Sequence, residues 1–140
     1  MHPIHPMAVH FPIALLSVSV LFDLMSHRWR PGDMRVASLS TLTVGLAGAL
    51  LAILTGSIAE EAVEHSGVPE SILEMHETLG FATFWVFVGL LGSRIAAWVG
   101  WIEERPFVSS ALGCAGVVIL LVASYYGGSL VYEFGAGVIK

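Results

Sequence analysis

The sequence predicts an all-α, up-down bundle of four transmembrane helices, and three observations carry that prediction. Of 140 residues 56% are hydrophobic and only 12% charged, against about 25% charged in an ordinary soluble domain, and the mean hydropathy is +0.81. Four apolar runs follow one another, at about 8–25, 36–59, 79–97 and 107–130, each near the ~20 residues a helix needs to cross ~30 Å of hydrocarbon. The runs are continuous rather than alternating, which points to helices rather than a barrel as the way backbone polar groups are satisfied in lipid.

The first helix is expected over about 8–27. Its opening, His2-Pro3-Ile4-His5-Pro6-Met7-Ala8-Val9-His10-Phe11-Pro12, holds three of the six histidines. Pro3, Pro6 and Pro12 should keep this leader extended, or at most one helical turn. No basic residue precedes the apolar run and no small-x-small site follows it, so the run is expected to be retained rather than cleaved as a signal peptide. The second helix is expected over 35–65, since nothing breaks the pattern between Arg35 and His65. Gly67 then suits a C-terminal cap and Pro69 the first turn of a third helix over 69–98. These two helices should outrun the membrane and form a hairpin. The fourth is expected over 107–128. The whole chain, 1–140, reads as one integral membrane domain.

Charge gives the orientation. The connection from His27 to Arg35, the connection from Trp98 to Pro106 and the flanking Arg94 hold five of the six basic residues. The positive-inside rule places them in the cytoplasm and both termini outside, with Trp29, Trp98 and Trp101 in an interfacial belt. A net charge of -5 removes nucleic acid as a partner, because its recognition needs a basic face. Cys114 is the single cysteine, which excludes an internal disulfide and any CxxC pair. Gly48, Ala52 and Gly56, and on the last helix Gly116, Ala123 and Gly127, form small-residue stripes that let helices approach closely or leave room for a flat cofactor. No internal repeat or low-complexity segment is apparent.

The chemistry should reside in the histidines. His10 opens the first helix and His76 stands near the start of the apolar part of the third. Both lie at the outer boundary on helices that are diagonal in such a bundle. Facing one another, they would hold a metal ion or both axial positions of a haem. The positive end of a helix dipole disfavours protonation of His10, and neutral imidazole is the ligating form. Gly80, one turn from His76, leaves space for a macrocycle, with Thr83, Phe84 and Phe87 beyond it. His5 is assigned a second site or a supporting role, because a turn and a half of helix would point it away from His10. His27 reads as a solvated loop residue. Propionates would find only Lys140 as a base outside, so Tyr125, Tyr126, Tyr132 and Ser129 are the expected donors. The competing reading of each histidine is a lone interfacial side chain bonded to a carbonyl or carboxylate.

His5-Pro6-x-x-Val9-His10-Phe11-Pro12, the histidine opening the third helix and the closing Gly127-Gly128-x-Leu130-Val131-Tyr132 resemble a widespread family of small four-helix bacterial membrane proteins, over essentially the whole chain. The resemblance implies a b-type cytochrome of the bacterial inner membrane with one haem b or two. Its histidine ligands would fall at His5, His10 and His76, and it would pass electrons between quinol and a periplasmic redox protein. Many relatives carry a histidine where this chain has Phe134, so His2 or His65 would have to replace it at a second site. A homo-oligomer is expected. The alternative is a non-haem metal-binding or transport protein for zinc or iron, using His5, His10, His65 and His76 with Glu61, Glu64 and Glu74. Glu61 and His65 are four apart, unlike the Glu-x-x-His spacing of di-iron bundles. No nucleophile–base constellation appears, so hydrolysis has no support.

Overall fold

The computed structural model describes residues 4–64 and 67–136, with side chains described for 4–59 and 67–136. Every regular element among them is helical: α1 (Ile4–Ala8), α2 (His10–Ser26), α3 (Pro31–Glu64), α4 (Glu70–Trp98) and α5 (Pro106–Tyr132). Four helices are long and apolar enough to cross a membrane: Ile4–Ser26, made of α1 and α2, then Pro31–Ala59, Glu70–Trp98 and Pro106–Tyr132. No more than 28% of any apolar window is buried inside the bundle. The outward faces are therefore left to lipid, as Phe11, Leu51, Trp85 and Val118 illustrate.

Of the two forms expected for the leader, extended or a single helical turn, the described residues take the helical one. Residues 4–8 are helical, and backbone bonds from Val9 N to His5 O (3.1 Å) and Ile13 N to Val9 O (3.2 Å) carry the helix almost through the break. Pro6 and Pro12 are each the third residue of a helix, where the amide they lack would have no partner within its own element. Pro12 cannot donate to Ala8, and the chain is interrupted only there, at Val9. His5 thus sits on a helical turn packed against α3.

α2 packs against α3 and α5, and α4 against α3 and α5. The span carrying His5 is thus diagonal to the one carrying His76, as the up-down arrangement requires. The middle of the bundle is dry: Leu16, Leu42, Phe87 and Leu90 are fully buried, with Val20, Leu46, Ala49 and Leu120 around them.

The structure reveals an internal correspondence that the sequence conceals. The hairpin α1–α3 and the hairpin α4–α5 match at one constant offset, that from His5 to His76. His5 bonds Ala52 and His76 bonds Ala123, each 47 residues on. A Cβ on Gly45 would meet Leu16, and one on Gly116 would meet Phe87; one on Gly56 would meet His5 and one on Gly127 His76. The same offset pairs Asp23 with Arg94. Two hairpins of one design face each other, with like positions meeting across the middle.

Candidate functional site

At the histidine end, one imidazole comes from each hairpin. His5 Nδ1–H donates to Ala52 O at 2.9 Å, with Thr55 Oγ1 at 3.3 Å. His76 Nδ1–H donates to Ala123 O at 2.9 Å. A carbonyl can only accept, so both rings carry a proton on Nδ1, and neither Nε2 bonds a described residue. The ring centroids are 6.0 Å apart at an interplanar angle of 80°. A metal held between two imidazole nitrogens at about 2.0–2.1 Å each would separate the ring centres by roughly 6 Å. A backbone carbonyl on the far nitrogen is also the usual support of a metal-bound histidine, fixing tautomer and orientation.

Glycine makes these seats possible. A Cβ on Gly56 would lie 3.1 Å from His5 Cε1, and one on Gly127 would lie 2.8 Å from His76 Cε1. Each ring therefore rests on bare helix backbone, one turn beyond the carbonyl that pins it. The small-residue stripes divide accordingly: Gly48 and Gly116 pack helices, while Gly56 and Gly127 seat imidazoles. Gly80 has no neighbour within 4 Å of the Cβ position, so space remains one turn from His76.

The other predicted residues distribute unevenly. The ring facing His76 belongs to His5, and His10, first residue of α2, is exposed. The turn and a half between them turns the two side chains to different sides. Tyr126 is half-buried and meets Tyr125 edge-on at 5.8 Å, while Tyr132 is exposed. Phe134 is half-buried; Glu70, Glu74 and Glu133 are exposed. His2, His65 and Lys140, and the side chains of Glu60, Glu61 and Glu64, lie outside the described residues. No group of three or more His, Cys, Asp or Glu suited to a metal ion forms among the described residues.

The arginine end holds a second polar centre that sequence reasoning missed. Asp23 Oδ1 meets Arg94 Nη2 at 2.6 Å, both side chains largely buried. Arg94 Nη1 donates to Ser38 Oγ (2.7 Å), which donates to Ser19 O (2.8 Å). Ser110 Oγ donates to Asp23 Oδ2 (2.5 Å) and accepts from His27 Nε2–H (2.8 Å). The knot ties all four long helices together. His27, expected as a loop residue in solvent, is half-buried and stacks on Phe107 with centroids 5.0 Å apart. The available signal was Asp23 itself, a carboxylate inside an apolar run, which in a membrane segment calls for a partner.

Comparison with curated proteins and with solved structures returned no match. One family model matches, and it spans residues 1–140. The chain, with its four membrane-length helices, belongs to the family described as "Predicted membrane protein (DUF2231)".

Proposed function

We propose that the protein is a b-type membrane cytochrome in which His5 and His76 would together hold one haem. One observation carries the reading: two imidazoles from two matching hairpins, each pinned through Nδ1 to a helix carbonyl, face one another 6.0 Å apart. The residues present fit the group. With each Nδ1–H taken by a carbonyl, Nε2 is the nitrogen that would ligate, Gly56 and Gly127 permit the close seating of the rings, and a Cβ at Gly80 would meet nothing within 4 Å. A centre that needs just two protein ligands suits a pair that acquires no third donor among the described residues. Haem bound there supplies a one-electron couple; the chain's own part is to hold two neutral imidazoles in fixed tautomers and to keep the site beside a dry core.

The positive-inside rule supports an inner-membrane orientation, with the histidine end periplasmic and the arginine end cytoplasmic. At about 1.5 Å per residue the 34 residues of α3 span roughly 51 Å, so its far end and the start of α4 stand in the outer aqueous space. Electron exchange with quinol and a periplasmic redox protein is the role the family resemblance suggests. His10, exposed at the same end, is left for contact with such a partner.

Absorption spectroscopy of the detergent-purified protein tests the proposal. A Soret band with a reducible α band supports it. A colourless protein that carries zinc by elemental analysis refutes it and favours the non-haem alternative.

A further inference from the structure

The arginine end contains a cavity of about 650 Å³ among the ends of all four long helices. Its floor is the Asp23–Arg94 pair with Ser93 and Ser109, and its walls include Leu39, Ile102, Val108 and Leu112. A polar floor under apolar walls suits an amphipathic molecule. The level also matters: Trp98 lines the cavity and is exposed, as is Trp101 in the adjoining loop, and exposed tryptophans mark the membrane interface.

The charges specify the headgroup. The lining holds three carboxylates, Asp23, Glu103 and Glu104, and three guanidiniums, Arg35, Arg94 and Arg105. Two pairs are already closed, Asp23 with Arg94 and Arg35 with Glu104. Glu103 and Arg105, both exposed on the rim, form no ion pair with any described residue. The rim therefore offers one open carboxylate and one open guanidinium within the same short loop. An anionic headgroup would gain a guanidinium only beside an equally open carboxylate. A zwitterion uses both.

We propose that this cavity binds a zwitterionic phospholipid with a primary ammonium, a phosphatidylethanolamine. Its phosphate is held by Arg105 and its ammonium by Glu103, with the glycerol and first methylenes against Leu39, Val108 and Leu112. Phosphate suits the planar donor fork of Arg105. The ammonium must keep its N–H donors to bond a carboxylate, which separates this lipid from its choline counterpart.

The test uses the full-length protein in detergent, with native mass spectrometry and thermal unfolding. Phosphatidylethanolamine, phosphatidylcholine and phosphatidylglycerol of identical acyl chains are added separately. The expected result is retention of phosphatidylethanolamine and a rise in Tm with that lipid alone. Glu103→Gln and Arg105→Gln, both at exposed positions, should each weaken its binding about tenfold or more, while Glu70→Gln at the other end should leave it unchanged. Equal effects of the three lipids, or binding that survives both rim substitutions, would overturn the proposal. So would an equal Tm rise with soluble glycerophosphoethanolamine, since the walls would then contribute nothing. None of these readouts involves His5 or His76, so the result stands apart from the haem assignment.

Discussion

The two polar ends of the bundle are built on equivalent positions and solve opposite problems. One offset carries His5 onto His76 and Asp23 onto Arg94. At the histidine end the equivalent residues are identical. Each imidazole turns its Nδ1–H back to a carbonyl of its own hairpin rather than bonding the other ring. At the arginine end the equivalent residues are complementary, and they close on each other at 2.6 Å with serines taking up the remaining valences. Like residues at matching positions turn to backbone partners; unlike residues bond each other. The fully buried Leu16, Leu42, Phe87 and Leu90 stand between the two centres, so each can be altered without directly touching the other.

The comparison breaks most severely at the histidines. If His5 and His76 hold the haem as proposed, His5→Ala and His76→Ala should each eliminate the low-spin haem spectrum. His10→Ala should leave the spectrum intact, since that side chain is exposed and the ring across from His76 is His5. Loss of the spectrum in His10→Ala but not in His5→Ala would reverse the assignment. None of the three should cost the bundle its fold, because the dry core lies elsewhere.

At the arginine end the expected loss is of stability instead. Asp23→Leu or Arg94→Leu leaves one buried charge without its partner, which costs about 3–5 kcal/mol. Thermal unfolding in detergent would register either as a large fall in Tm. The double Leu variant should lie above both singles, since an apolar pair of similar volume replaces a buried ion pair at little cost. Equivalence of the two positions adds a sharper requirement: Asp23→Arg combined with Arg94→Asp should unfold at a higher temperature than either reversal alone. If the double reversal is no better than the singles, the two sites are not interchangeable and the matching of the hairpins is only geometric.

The sequence and the structure agree where hydrophobic periodicity decides, and part where side-chain direction does. The four spans were legible because an apolar run of membrane length has few alternatives, and four helices of that length are present. The place of His5 opposite His76 was hidden by Pro6, which leaves an extended leader open until its position in a first helical turn is known. The correspondence between hairpins was hidden because its matched positions are few and mostly small, His5 with His76, Ala52 with Ala123, Gly45 with Gly116, Gly56 with Gly127, with lipid-facing residues free to diverge between them. Asp23 was passed over because hydropathy averages absorb one carboxylate, although its cost in a membrane segment is about 2.5–3.5 kcal/mol at the helix centre. The pairing of Arg94 depended on which faces of α2 and α4 meet, and spacing alone does not give that.

Smaller changes can separate seating from space at the histidine end, and the glycines supply them. In Gly127→Ala the new Cβ would lie 2.8 Å from His76 Cε1. A ring held by the Ala123 carbonyl must then tilt and weaken that bond, at a cost of about 1–3 kcal/mol for overpacking, and the haem should become easier to extract. Gly56→Ala, at 3.1 Å from His5 Cε1, should do the same more mildly. Gly80→Ala has the opposite sign in the haem-free protein: nothing lies within 4 Å, so exchanging glycine for alanine inside α4 should raise helix stability by up to about 1 kcal/mol. If the space beside Gly80 belongs to a macrocycle, the same methyl should lower haem retention. A haem-free protein that unfolds later, with a haem complex that loses its Soret band sooner on dilution, would place the porphyrin edge against that turn of α4. Equal gains in both forms would show that the space is unused and that the porphyrin, if bound, lies on another side of His76.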